Sequence, residues 1–218
     1  MKNKILFSFI VLAGMAVSSA MAQVLPSKQE TLKTLTLVNS YFMKKYADYT
    51  LPSKTDRVRP SNIWTRGVYY EGLMELYKIF PKEEYYQYAY GWSDFHKWGM
   101  RNGTTTRNAD DQCCGQTYID LYNICPTSPA MLKDIKACMD MLVNTPQVDD
   151  WTWIDAIQMG MPVLAKLGKL TGNTAYFDKM WDMYAYSRNT HGGGLFNLKD
   201  GLWWRDADFV APYKEPNG

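Results

Sequence analysis

The sequence predicts an all-α fold made of helical hairpins, with one small β-hairpin near its end. Three observations lead there. Apolar residues recur near i, i+3, i+4 spacing in seven separate segments, the period of a helix with one buried face. Pro, Gly and polar clusters separate those segments by short linkers, so each helix pairs with its chain neighbour. Only residues 195–206 carry a strand-and-turn pattern.

The elements follow in order. Gln29 to Tyr46 places Leu32, Leu35, Val38, Phe42 and Tyr46 on one stripe. Residues 48–62 hold two Pro and mixed charge and read as a loop. Ser61 or Asn62 is the expected cap of a helix from Ile63 to Phe80, with Val68, Leu73, Leu76 and Ile79 inward. Pro81 ends it and starts another, Lys82 to Met100, closed by Asn102-Gly103. A polar loop precedes a helix from Asp110 to Ile124, which stops before Pro126. Ser128 caps Pro129 to Asn144, with Pro at the first helical position. Asp150 is the expected cap of a helix running to Leu167, and Gly168 and Gly172 mark the turn after it. Asn173 to Asn189 is the last helix. Asp200-Gly201 between apolar runs is a hairpin signal.

No fixed-period repeat is present, which leaves a solenoid of helix pairs or a closed ring of hairpins, an α/α barrel. Polar residues and Trp concentrated at helix starts favour the ring, because loops at one end of a ring can converge on a cleft.

The N-terminal segment 1–22 reads as a secretory signal: Lys2 and Lys4, an apolar run from Ile5 to Val17, and Ala20-Met21-Ala22 as the cleavage pattern. The apolar run is too short to span a bilayer. The chain is therefore expected to be secreted or periplasmic, with residues 23–218 as the mature domain and no membrane attachment after cleavage. Both signal lysines leave with that segment, so the 24 bases of the whole chain fall to 22, equal to its 22 acids. A neutral mature chain excludes charge-driven nucleic-acid binding as the default. A hydrophobic share of 46% excludes intrinsic disorder.

Cys113, Cys114, Cys125 and Cys138 have no metal-ligand spacing, and there are only two His, so no metal site or cofactor is expected. Four small buried residues is the plain reading, with a Cys125–Cys138 disulfide as the alternative.

Three stretches carry candidate chemistry. Trp64-Thr65-Arg66-Gly67 puts an indole and a guanidinium in the first turn of a helix. Such a pair suits a sugar acid: the ring stacks and the cation meets a carboxylate. A core Trp with a surface Arg reads equally well. Asp110 and Asp111 open the next site-bearing helix, where capping and the helix dipole also favour acids. Gly115, one turn on, permits close packing or close ligand approach. Trp153 and Asp155 stand two apart at the entrance of an apolar helix. Indoles desolvate the acid and raise its pKa, while the helix N-terminus lowers it, so both directions stay open. Phosphate loops, a nucleophile elbow and HExxH are absent from the sequence.

At these stretches the chain resembles the unsaturated glycuronyl and rhamnogalacturonyl hydrolases, glycoside hydrolase families 88 and 105, and looks closer to family 105. The matching residues are Trp64-Thr65-Arg66-Gly67, Asp110 to Gly115, Trp153-x-Asp155-Ala156 with Met161-Pro162, and Asp200-Gly201-Leu202. The resemblance covers about residues 28–218. It implies a barrel of six helical hairpins that removes 4,5-unsaturated uronic acid from the non-reducing end of lyase-generated pectin or rhamnogalacturonan oligosaccharides. It implies vinyl-ether hydration, with Asp155 as general acid/base and Asp110 as the second acid, Asp111 being one residue away from that match. Trp64, Arg66, Trp153, Trp204 and Arg205 would bind the sugar, Arg205 in place of a family His after the hairpin glycine. The family's Arg-Gly-Asn-Gly-Trp motif is absent, and six hairpins need about twelve helices, on the order of 300 residues. Seven helices are then an incomplete barrel, and the chain is expected to be C-terminally truncated. The rival reading is a non-catalytic helical carbohydrate-binding or scaffold protein.

Overall fold

A computed structural model describes residues 25–212. The expected signal segment and residues 213–218 lie outside the described residues. Contacts divide the chain into two units, residues 1–38 and Asn39–Gly218.

The described part of the first unit is the start of helix α1 (Lys28–Lys45). The second unit holds the end of α1 and then α2 (Trp64–Ile79), α3 (Glu83–Phe95), α4 (Ala109–Gln112), α5 (Cys114–Ile124), α6 (Ala130–Val143), α7 (Ile154–Thr171) and α8 (Ala175–Asn189). The helix expected from Asp110 bends at Cys113 into α4 and α5; Cys113 keeps helical torsions, so the two run on. Chain neighbours pack as hairpins: α2 with α3, α5 with α6, α7 with α8. α5 also stands beside both α2 and α7, while α6 meets α8. Alternate helices thus form two layers, the arrangement of an α/α barrel.

Aromatic rings fill the first hairpin. Tyr70 stacks on Trp92 at 4.0 Å, and both are buried. In the second hairpin Ile135, Met139 and Leu142 of α6 are buried at i, i+4, i+7 spacing. That stripe is what drives amphipathic helices together. Gly115 belongs to this packing: a Cβ there would lie 2.4 Å from Ile135 Cδ1. Its role is close helix approach rather than space for a ligand.

Several expectations are corrected. Ile63, not Ser61 or Asn62, is the N-cap residue of α2. Ser61 and Asn62 turn inward: Ser61 Oγ contacts His96 and Trp92, and Asn62 Nδ2 donates to Gly99 O. Val68 and Ile79 are exposed, and Tyr70 and Met74 take the inward places. α3 stops at Phe95 because Lys97 and Trp98 adopt φ of +54° and +59°. That left-handed turn is unfavourable for non-glycine residues, but it buries the Trp98 indole against Tyr90 and Tyr118. The loop at 48–62 contains a two-rung ladder, β1 (Ser53–Lys54) with β2 (Val58–Arg59). Asp150 does not cap α7, whose N-cap residue is Trp153. The four cysteines are free, and Cys125 is exposed, so neither the disulfide nor uniform burial holds.

The hairpin at the end is present as β3 (Phe196–Asn197) and β4 (Leu202–Trp203). Gly201 has a positive φ of 69°. That is the left-handed position the Asp-Gly turn requires. Asn197 closes the turn, accepting from Lys199 N and donating to Asp200 Oδ2.

Candidate active site

Three N-terminal helix ends of one layer, those of α2, α4 and α7, open on a cavity of about 530 Å³. Trp64, Arg107, Asp110, Asp150, Trp153 and Asp155 line it, over an apolar floor that includes Met159. Trp64 is the first residue of α2; Asp110 lies in the first turn of α4, whose Asn108 cap accepts from Asp110 N. Trp153 precedes α7 and Asp155 is its second residue. Helix N-termini present unpaired N–H groups and favour anions, so this end of the layer suits an acidic ligand.

Four of the residues singled out in the sequence are thus brought together: Asp110, Asp155, Trp64 and Trp153. Both indoles stay substantially exposed at the cavity, enough to offer a ring face to a sugar. The pKa of Asp110 is raised. Burial is the main cause, and the charges of Asp111 and Asp155 add to it, against Arg101 and Arg59.

Arg205 is not among the lining residues but lies against one of them, Trp153. Ile154 N donates to Arg205 O at 2.9 Å, and Trp153 pairs with Asp206 in a β-bridge, so the segment after the hairpin is fastened to the entrance of α7. The Arg205 guanidinium lies 4.6 Å from the Trp153 ring and 4.3 Å from that of Phe209, and pairs with Asp206. The ring contacts are cation–π contacts. Trp204 is half-buried, with its backbone N–H donated to Leu195 O, and is not among the lining residues.

Arg66 and Asp111 do not reach the cavity. Arg66 is two residues from Trp64, which on a helix turns its side chain to the far side. It is 4% exposed and sits 4.1 Å from the Tyr46 ring. Asp111 is fully buried; its Oδ2 accepts from Asn102 Nδ2 and Thr106 Oγ1, and its Oδ1 forms an ion pair with Arg101 at 2.7 Å. That carboxylate ties down the loop at 101–106. The choice between the adjacent acids therefore places Asp110, not Asp111, at the cavity wall.

Sequence reasoning missed Arg107. It grips Asp150 with two 2.6 Å bonds, Nε to Oδ1 and Nη2 to Oδ2. This is the planar two-point pairing of guanidinium with carboxylate. The partners are 43 residues apart in the chain, and no local pattern marks an Arg inside a polar loop as one side of such a pair. Asp150 is drawn away from the α7 cap by this partner.

A cavity with two carboxyl groups, one of them held towards its protonated form, flanked by exposed indoles, can pass a proton to a bound sugar ring.

Residues 34–218 match the family model described as Glycosyl Hydrolase Family 88. An unsaturated 3S-rhamnoglycuronyl hydrolase of Formosa agariphila is 25% identical over 173 residues, covering 71% of this chain and 44% of that protein. A solved glycosyl hydrolase family 88 protein from Bacteroides vulgatus superposes with a TM-score of 0.74 at 25% identity, over 88% of this chain and 56% of the other. A solved polysaccharide lyase superposes with a TM-score of 0.73 at 27% identity, over 87% of this chain and 54% of the other. The chain thus spans about half the length of the relatives it matches.

Proposed function

The chain belongs to glycosyl hydrolase family 88, and on that premise we propose that it removes a 4,5-unsaturated uronic acid from the non-reducing end of lyase-generated oligosaccharides. The observation that carries the reading is the meeting of Asp110 and Asp155 in one cavity walled by Trp64 and Trp153. Unlike hydrolysis by paired carboxylates acting on an intact acetal, the reaction is addition of water to a vinyl ether. Asp155 delivers a proton to C4 of the double bond and water adds at C5. The hemiketal so formed opens at the ring C5–O5 bond to a C5 ketone, and the hemiacetal left at C1 then collapses to an aldehyde, breaking the glycosidic bond and releasing the second sugar with the proton on its oxygen. Asp110, whose pKa burial raises, lines the same cavity and is the group to steady the ring or exchange the second proton. Trp153 and Trp64 supply stacking faces, and Arg205 supplies a cation at the rim.

The finer reading is a family-105-like role in pectin or rhamnogalacturonan breakdown. The Trp153-x-Asp155 motif supports it, while the Formosa agariphila relative, an unsaturated 3S-rhamnoglycuronyl hydrolase, supports the coarser reading of an unsaturated uronic acid substrate. Export to the periplasm, with cleavage before Gln23, is part of the same proposal, and mass spectrometry of the secreted chain's N-terminus reads it directly.

The test follows the double bond's ultraviolet absorbance with an unsaturated rhamnogalacturonan disaccharide. The wild-type chain is expected to consume it, and Asp155→Asn to lose activity by at least about 100-fold with the fold intact. Full activity in Asp155→Asn would sink the assignment of the acid. Binding without consumption by the wild-type chain would favour a carbohydrate-binding role instead.

A further inference from the structure

Arg107 and Asp150 line the cavity that holds Asp110 and Asp155, yet both are fully engaged with the chain itself. A guanidinium carries five N–H donors. On Arg107, Nε donates to Asp150 Oδ1 and Nη2 to Asp150 Oδ2, each at 2.6 Å. Nη2 also donates to Gln147 O, while Nη1 donates to Thr145 Oγ1 and to Met141 Sδ. All five donors thus have acceptors within the chain, and none is left over for a bound sugar. Both oxygens of Asp150 accept from Arg107, and Oδ1 accepts from Gln147 Nε2 as well.

Arg107 stands three residues before Asp110, with only the Asn108 cap and Ala109 between them. Asp150 stands three residues before Trp153 and five before Asp155. Both acids occupy the first turn of a helix, where the backbone has the fewest internal bonds to hold it. Their places therefore depend on the segments that enter those turns. The Arg107–Asp150 pair joins the two entering segments directly, across 43 residues of sequence. The loop that carries Asp150 is itself anchored to α8. Lys179 Nζ donates to Thr145 O at 2.6 Å and Gln147 O at 2.9 Å, and Ser187 Oγ donates to Trp151 O at 2.6 Å. One end of the pair is thus fixed, and the planar two-point geometry carries that fixity to the other.

We propose that Arg107 and Asp150 are positioning residues, whose pairing sets the spacing of Asp110 and Asp155 across the cavity while neither touches substrate. The inference rests on the hydrolase reading of that cavity, and it names what holds the two acids in register. Reacting groups displaced by about 1 Å cost on the order of 100-fold in rate, so such a strut acts on the chemical step rather than on affinity.

Arg107→Lys tests this with the least damage to the fold. It keeps a cation opposite Asp150, so no charge is stranded, but a lysine cannot make the two-point pairing. Asp150→Asn breaks the same pair from the other side. With an unsaturated disaccharide, and rates taken per folded chain by circular dichroism, kcat is expected to fall about 10- to 100-fold in each variant. KM is expected to stay within about twofold. Combining the two changes should add little further loss, because each alone has already broken the pair. Amide hydrogen exchange reads the strut without turnover. The bonded amides of Asp110 and Gln112 and those of Ile154 and Ala156 are expected to lose protection together in either variant. A raised KM with kcat intact overturns the proposal, since Arg107 would then bind substrate itself. Unchanged kinetics in a folded variant of lower Tm overturns it too, leaving the pair a feature of stability alone. The hydrolase reading fails separately, if the wild-type chain never consumes the double bond. Exchange then still decides the strut, and loosening of one segment without the other overturns it.

Discussion

Gln158 Nε2 donates to Glu71 Oε2 at 2.6 Å, and the other oxygen of the same carboxylate accepts from Cys113 Sγ at 2.8 Å. Glu71 is on α2, Gln158 is one turn beyond Asp155 on α7, and Cys113 is one turn beyond Asp110. One buried side chain thus braces the two helices that bring the acids to the cavity.

Removing that brace should be felt as lost stability. Glu71→Ala leaves the buried Cys113 thiol without its acceptor, and a buried polar group left unpaired costs about 1–3 kcal/mol, while the exposed Gln158 amide turns to water. Glu71→Gln keeps an acceptor and sheds a charge whose pKa burial has already pushed up, so its loss should be smaller. Urea unfolding of the two variants beside the parent measures the difference. Equal midpoints for Glu71→Ala and parent would show that the brace carries no energy.

Gly115 answers to steric rather than polar demands. A methyl group there meets Ile135 Cδ1 and Cγ1, each at 2.4 Å, in the α5–α6 contact. Gly115→Ala is expected to destabilise by about 1–3 kcal/mol through overpacking, despite its better helix propensity. Ile135→Val in the same chain should return part of the loss, a non-additive pair in a double-mutant cycle. A stabilised Gly115→Ala chain would mean that propensity wins over the clash.

Asp110 gives a pH dependence with a definite sign. Burial, then the charges of Asp111 and Asp155, raise its pKa in the folded chain. The folded state therefore holds the proton more tightly than the unfolded state. The stability tied to that proton is full below the unfolded value, about 3.9, and is lost as pH rises through the raised folded value. Asp110→Asn cannot ionise, so it should raise Tm at pH 7 and leave Tm near pH 3 unchanged. A variant that melts lower at pH 7 would show that the charged form makes compensating bonds.

Much of this was legible in the sequence because helix pairs are local. Seven periodic stripes and the Asp200-Gly201 turn mark the main elements, and Trp153-x-Asp155 marks the entrance of α7. What was hidden depends on distant partners. Trp98 turns left-handed to reach Tyr118, far along the chain, and Asp150 abandons its cap for Arg107. Asp110 and Asp111 are alike as sequence; only the loop at 101–106 decides which is sequestered. The β1–β2 ladder has two rungs, too few residues for a period of two to show.

His96 supplies the last prediction, at the acid end. Trp92 Nε1 donates to Ser61 Oγ at 3.0 Å, and the same oxygen lies 2.7 Å from His96 Nε2. With the serine oxygen already accepting from the indole, the serine hydroxyl donates to an unprotonated His96 Nε2. Burial pushes the imidazole pKa down to about 4. A folded-state pKa below the unfolded value gives stability that is present above pH about 6.5 and is lost as pH falls towards about 4, where only the unfolded chain takes up the proton. Urea midpoints measured from pH 7 to pH 4 should therefore fall, and His96→Gln, which does not titrate, should flatten that limb. The chain has only two His, so NMR titration assigns the imidazole directly. An unchanged limb in His96→Gln, or a His96 titration near about 6.5 in the folded chain, would remove this histidine from the account of acid lability.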